Sequence, residues 1–459
     1  MSDRISGSPM EFVIRLDCVG TVDAARFTEA VSAEVKRQPL LQANATVRES
    51  HRESCWRPAT NCVPVITWHE GDPDKGTGFP EDFAPIDLEI EIGFRFYGWR
   101  FPVDDQEHVV MKFVYHHACC DGKAGVQFAA NTFQRYQSLI DGESDSPIEL
   151  PIVDEQQLLN RNLPAANRFG FADRIWRAFV VRPKRVGNML LSKPRKISGN
   201  VRVAKRDDSD TVADPPRQCS TDLTVGETKQ LAALARKLSA SSNTILAREL
   251  FHVLNEYLES NSNLSNDALR ILIPFSLRDE RHHSMPAANC VSMAYLEARQ
   301  KILKVDGVGD PVLVSNLARQ VDFIRRWNLQ YSWIESIDLY ARIWPVIKLL
   351  KFHRKRRVRK TKQIASTVMS NLGQVFRESD LLDSNSELAA GAIVVKSVHL
   401  ALPCSATVPV AFSLNFYGNR LTIDVTYLPS SIDPGTAESL LDSWKQRILD
   451  SVAAMPIDG

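Results

Sequence analysis

The stretch that most constrains this chain is Glu107-His108-Val109-Val110-Met111-Lys112-Phe113-Val114-Tyr115, which runs directly into His116-His117-Ala118-Cys119-Cys120-Asp121-Gly122. β-Branched, aromatic and other apolar residues dominate the first part, the pattern of a buried strand. From Gly125 to about Leu139 the pattern becomes helical. A strand end feeding a helix can hold an imidazole rigidly while presenting it to a cleft. Neighbouring residues on a strand face opposite ways, so His116 and His117 have separate duties and do not readily share one ion. No C-x-x-C or H-x-x-x-H partner with zinc-like spacing stands elsewhere in the sequence, so no metal site is expected. A structural histidine pair and a catalytic one remain open from these residues alone.

The rest of the chain sets the context. Glu11–Leu16 reads as a strand, and Thr21-Val22-Asp23 opens a helix to about Lys36. Gln38-Pro39 stops that helix, and a strand is expected from Leu40 to Val47. Further strands are expected near 63–68, 89–99 and 107–115. After 216 the alternation resumes, with a strand near Gln218, helices at about 225–239 and 242–259, and strands at 268–275 and 288–297. A long helical region follows at 310–352, then strands at 364–370, 391–400, 407–417 and 420–427, with a last helix over 433–453. Tyr417-Gly418-Asn419-Arg420 sits where a tight hairpin turn belongs. The order predicts an α/β chain of two similar units, 1–160 and 216–459, joined by a basic crossover over 161–215.

Bulk properties exclude several classes. With 459 residues, 44% hydrophobic and 24% charged, the chain has the makeup of an ordinary globular protein, and its net charge of +1 gives no global pull toward nucleic acid. Its eight cysteines lack framework spacing, no signal segment opens the sequence, and no run approaches the roughly 20 apolar residues of a membrane span. A cytoplasmic protein, peripheral to membranes at most, is expected.

The heptad His116–Gly122 resembles the HHxxxDG signature of condensation-domain and chloramphenicol-acetyltransferase-like acyltransferases. Asp23 to Leu41, with Arg37-Gln38-Pro39, resembles the opening of the same superfamily. Ile273-Pro274-Phe275-Ser276-Leu277-Arg278 followed by Ala288-Asn289-Cys290 resembles its P-x-x-x-R … N segment. Ser370-Asn371-Leu372-Gly373 resembles an SNLG segment of members that esterify alcohols. The DFGWG loop of plant members and the opening segment of wax ester synthases are missing.

This resemblance implies two chloramphenicol-acetyltransferase-like halves with an active-site tunnel at their interface. It implies an acyl group moving from a coenzyme A or acyl-carrier thioester to a small-molecule alcohol or amine, with no permanently bound cofactor. His117 would be the general base, an imidazole being suited to that at neutral pH. His116 would pack, Asp121 would brace the loop by pairing with an arginine, for which Arg278 is the candidate, and Gly122 would permit tight entry into the helix. Asn289, Ser370 and Asn371 are candidates for the pocket or for oxyanion donors, and Cys119 and Cys120 for packing. A free-standing amide-forming condensation protein and a non-catalytic carrier- or lipid-binding member are the alternatives. A monomer is expected.

Two basic stretches stand apart. Residues 174–206 hold eleven Lys or Arg and no acid, beside Ile175, Trp176, Phe179 and Val180. Lys351–Lys362 holds eight in twelve residues, just after Trp344. Such mixtures suit an interfacial helix on anionic lipid, docking of an acidic acyl carrier protein, contact with coenzyme phosphates, or a solvated face.

Overall fold

In the computed structural model the described residues are 10–47, 54–59, 63–74, 85–142, 150, 152–161, 171–181, 194–197, 215–261, 268–282, 284–304, 311–332, 334, 365–405 and 407–454. Two six-stranded mixed sheets and a two-stranded ribbon organise them. The first sheet contains β1 (Glu11–Thr21), β4 (Val65–Glu70), β5 (Phe94–Val103), β6 (Gln106–His116), β11 (Ala389–Ala390) and β12 (Ala392–Ala401), in the order β11-β12-β1-β6-β5-β4. The second contains β7 (Arg217–Leu223), β8 (Leu269–Ser276), β9 (Val291–Ala298), β10 (Thr367–Gln374), β13 (Val410–Tyr417) and β14 (Arg420–Tyr427), in the order β7-β14-β13-β10-β8-β9. The ribbon is β2 (Ala43–Val47) with β3 (Ser54–Pro58).

Helices α1 (Ala24–Lys36) and α2 (Gly122–Asp141) pack together in the first half. Helices α3 (Val225–Lys237), α4 (Ser242–Asn261), α5 (Val312–Arg326) and α6 (Pro434–Ala453) serve the second. On α2 the buried Gly125, Phe128, Ala129, Phe133 and Tyr136 recur at helical spacing and meet Phe12, Phe94, Phe113 and Tyr115 of the first sheet. Burying each such aromatic contributes roughly 1.5–3 kcal/mol.

The sequence does not divide between the sheets as cleanly as its order suggests. β12 comes between β10 and β13 in the chain, yet it pairs antiparallel with β1, from Val13 opposite Ala401 to Thr21 opposite Ala392. Polar side chains of the β13–β14 hairpin then fasten β12 to the second sheet. Ser413 Oγ donates to the Leu400 carbonyl at 2.5 Å and Asn415 Nδ2 to that of Val398 at 2.9 Å. The Leu400 and Leu402 amides donate to Asp424 Oδ2 and Thr426 Oγ1 at 2.9 and 3.0 Å. These bonds pair most of the polar groups buried across the seam, while Asn415 Oδ1 has no hydrogen-bond partner among the described residues.

Two local expectations change. Pro39–Gln42 is a 3₁₀ turn and β2 starts only at Ala43, because Pro39 fixes its own φ and Gln42 Nε2 reaches back to the Lys36 carbonyl at 2.7 Å. The helical region expected from 310 breaks after Arg326, where Asn328 takes φ +47° before a short 3₁₀ turn. The hairpin at Gly418-Asn419 has φ of +53° and +61°, the left-handed pair of a type I′ turn.

Candidate active site

The last rungs of the first sheet hold both histidines. The His116 amide donates to the Gly93 carbonyl at 3.0 Å and the His117 amide to that of Met10 at 2.7 Å. The ring of His116 is buried, its Nδ1 accepting from the Ala118 amide at 3.1 Å. The ring of His117 lies on the other side, edge-on to Phe12 at 5.3 Å between centroids. The chain then turns through Cys119, whose amide donates to the His116 carbonyl, and enters α2 at Asp121. Asp121 caps that helix, its Oδ1 accepting from the Ala124 amide at 2.9 Å.

The second half reaches this turn through the loop after β8, whose Leu277, Met285, Ala287, Ala288 and Cys290 are buried in the first core. Arg278 Nη2 donates to Asp121 Oδ2 at 3.2 Å and to the Ala288 carbonyl at 2.8 Å. The Cys290 amide donates to the same Asp121 oxygen at 2.8 Å. Asp121 is wholly buried and accepts all three bonds, so it braces the turn and does not face a reactant. Asn289 Nδ2 donates to the backbone carbonyl of His117 at 2.7 Å, and its Oδ1 accepts from the Val291 amide at 3.2 Å. One Nδ2 hydrogen and Oδ1 are thus used to hold the turn that carries His117.

A second link joins the same loop to the helices. The buried Glu34 accepts from Gln38, Asn131, Arg37 and Arg135 at 2.7–3.2 Å, and Gln38 Oε1 accepts from the Ala287 amide at 2.7 Å. Sequence reading missed this hub. The only visible signal was an acid on the apolar face of α1, four residues before Gln38.

The φ of Gly122 is not in the left-handed region, and what the glycine supplies at the helix entry is room. A Cβ there would lie 2.6 Å from Leu372 Cδ2, so the glycine makes room for the leucine of Ser370-Asn371-Leu372-Gly373. That leucine comes from β10 and packs against the first core. Asn371 Nδ2 donates to Asn243 Oδ1 at 2.5 Å, and its Oδ1 accepts from the Gly373 amide at 2.7 Å. Ser370 is buried opposite Ser413 in the parallel ladder of β10 and β13.

Burial governs the electrostatics of the turn. It pushes the pKa of His117 below its ordinary value, and backbone carbonyls and Asp121 offset this only in part. The imidazole is therefore neutral at pH 7. Burial also pushes the thiol of Cys119 up to about 12 and that of Cys120 well above its ordinary value. Thiols held neutral in this way are poor nucleophiles.

A second histidine cluster escaped the sequence reading. His399 Nδ1 lies 2.9 Å from Asp424 Oδ1, and Nε2 lies 3.1 Å from Ser397 Oγ and 3.3 Å from Asp17 Oδ2. The order Ser-His-Asp is that of a catalytic triad. Ser397, however, donates to Asp17 at 2.9 Å, and the two carboxylates raise His399 to about 10. A ring held protonated cannot act as a base, so this is an ionic clamp between β1, β12 and β14. An acid inside each of the apolar strands Phe12–Val19 and Leu421–Tyr427 was the available signal.

Of the basic stretches, Lys351–Lys362 lies outside the described residues, as does much of 174–206. Within the latter, Arg195 is buried and donates to Asn255 Oδ1 at 2.8 Å, so it belongs to the interior. Ile175, Trp176, Phe179 and Val180 are exposed. Among the described residues no helix is long and apolar enough to cross a membrane.

Comparison by sequence finds no matching family model and no matching curated protein. Comparison by structure gives close overlays. The first condensation domain of the calcium-dependent antibiotic synthetase superposes with a TM-score of 0.64 at 12% identity, covering 98% of this chain and 93% of that one. The chain has the condensation-domain fold. Trichothecene 15-O-acetyltransferase TRI3 from Fusarium sporotrichioides shares it, with TM-score 0.64, 12% identity, and 98% and 92% of the two chains covered. So does the starter condensation domain of rhizomide synthetase, solved with C8-CoA, with TM-score 0.62, 14% identity, and 98% and 92% covered. Each of these overlays covers 98% of this chain, so the likeness of fold extends over both sheets.

Proposed function

We propose that this protein is an acyltransferase moving an acyl group from a coenzyme A or acyl-carrier thioester to an alcohol, with His117 as general base. The observation that carries the reading is the histidine itself: a neutral imidazole at a strand end, braced from both halves of the chain through Asp121–Arg278 and Asn289. Structures of this fold include an O-acetyltransferase and a condensation domain solved with an acyl-coenzyme A, which supports the donor class.

The chemistry follows from a neutral base and a reactive ester. The His117 ring takes the proton of the acceptor hydroxyl as its oxygen attacks the thioester carbonyl. The tetrahedral oxyanion collapses, the carbon–sulfur bond breaks, and the imidazolium returns the proton to the departing thiolate. Base and acid assistance of this kind is worth about 10²–10⁴-fold in rate. The candidates for an oxyanion donor are Ser370 and the second Nδ2 hydrogen of Asn289 or Asn371. Incubation with a panel of acyl-thioesters and with alcohol and amine acceptors, read by mass spectrometry, tests the reading. Ester formation lost in His117→Ala supports it, and amide formation alone would replace the acceptor. No product from any pair would overturn it.

The exposed Trp176 and Phe179, next to a sequence rich in Lys and Arg, support peripheral contact with anionic membranes, where an apolar acceptor would be dissolved. Co-sedimentation should require anionic vesicles, weaken with salt, and drop in Trp176→Ser/Phe179→Ser; equal binding to neutral vesicles rejects the contact.

A further inference from the structure

The short 3₁₀ turn Glu155–Asn160 and the residue that ends it, Arg161, are fastened to the loop after β8. The Asp154 amide donates to the Ser284 carbonyl at 2.7 Å, and Leu158 packs against the first core. Cys290 Sγ donates to the Arg161 carbonyl at 2.9 Å, while the Cys290 amide donates to Asp121 Oδ2 at 2.8 Å. Cys290 thus sits between Arg161 and Asp121, and it places Arg161 at the turn that carries His117.

This segment leaves two polar side chains unmatched. The Arg161 guanidinium is half-buried and makes no hydrogen bond or ion pair among the described residues. The other arginines of this region are paired, Arg37 and Arg135 with Glu34, Arg95 with Glu91, and Arg278 with Asp121. The titratable groups that act on Arg161 are the thiols of Cys119 and Cys290, which burial holds neutral at about 12 and about 11. No acid stands in the sequence from Asn162 to Ala172. Four residues before Arg161, Gln157 Oε1 is enclosed and accepts no bond. A guanidinium drawn out of water without a counter-ion is costly, and its planar fork of donors fits an anionic oxygen pair.

We propose that Arg161 is an anion subsite beside the heptad, where it receives a carboxylate carried by the acyl group or by the acceptor. The assignment of that carboxylate to a substrate rests on the acyltransferase reading; the anion site itself does not. A single guanidinium matches the single charge of a carboxylate, whereas a phosphate dianion would leave one charge unmatched. Arg161 moves no proton. It contributes binding and selects an acidic substrate over its neutral counterpart, because the neutral one leaves the guanidinium without a partner.

Phenylglyoxal modification of the intact protein, read at each arginine by peptide mass spectrometry, tests the site without turnover. Arg161 should react, and glutarate should protect it while glutaramide does not. Glutarate should also raise the thermal midpoint, an effect lost in Arg161→Gln and kept in part by Arg161→Lys. For turnover, glycolate is compared with methyl glycolate as acceptor, and glutaryl-CoA with hexanoyl-CoA as donor. One of these acid-over-neutral preferences in kcat/KM should fall by about ten- to a hundredfold in Arg161→Gln, the scale of a hydrogen bond to a charged group. Which one falls tells whether the acceptor or the acyl group carries the carboxylate. No protection by glutarate, equal protection by glutaramide, or protection by coenzyme A alone would overturn the proposal, as would acid preferences that survive in a folded Arg161→Gln. Protection by glutarate in a protein that acylates nothing would uphold the anion site and reject the acyltransferase reading.

Discussion

Arg278 and Asp121 lie 157 residues apart in the chain and meet at 3.2 Å, joining the loop after β8 to the helix that follows the histidines. Asp121 is wholly buried, so removing Arg278 leaves a carboxylate supported only by the amides of Ala124 and Cys290. Breaking such a pair costs about 3–5 kcal/mol when burial is deep. Arg278→Ala and Asp121→Asn should each destabilise on that scale, and the double variant should cost less than their sum. Urea unfolding of the four proteins measures this; strict additivity would show the pair to be energetically inert.

His117→Ala should remove acyl transfer while leaving the thermal midpoint nearly unchanged, because the ring's Nδ1 makes no hydrogen bond whose loss would cost stability. His116→Ala should do the reverse, since the buried ring accepts the Ala118 amide that shapes the turn. It should lose about 1–3 kcal/mol with part of its turnover retained. Calorimetry alongside product formation separates the two, and comparable turnover in a folded His117→Ala would sink the mechanism.

The clamp at His399 predicts an alkaline weakness. Its folded pKa of about 10 stands above the ordinary 6.5, so its contribution is complete below about pH 6.5 and is lost as pH rises through 10. Asp17, held well below the usual carboxylate range by His399 and Arg15, works in the opposite sense, and its contribution fades only in acid. Lys112, pushed down to about 8 by burial and by Arg15, works against this: its neutral form is favoured by folding, so its discharge above pH 8 adds stability as pH rises. The net fall between pH 7 and 10 should therefore be only on the order of 1–2 kcal/mol, most of it below pH 8. His399→Asn should be less stable at pH 7 and lose that fall; parallel pH curves for the two proteins would discount the clamp.

Gly122→Ala tests the contact between the heptad and Leu372. The new methyl would sit 2.6 Å from Leu372 Cδ2, the end of a partly buried side chain that packs against the first core. Overpacking of this size costs about 1–3 kcal/mol. Adding Leu372→Ala should recover part of it. If the pair is no better than Gly122→Ala alone, the clash lies elsewhere.

The sequence by itself determined the local elements and their order. The apolar run before His116 became β6, Asp121 became the cap of α2, and Gly418-Asn419 made the hairpin turn, because each depends on residues a few positions apart. The heptad and the arginine segment were legible for the same reason. Only the tertiary structure decided that β12 joins the first sheet, that Gly122 serves Leu372, that Asn289 holds the His117 carbonyl, and that His399 is clamped between Asp17 and Asp424. In each case the partners are scores to hundreds of residues apart, or on different strands, and no local periodicity encodes which will meet. The two sheets settle that when they bury their faces together, and the polar groups left at the seam then take the partners within reach.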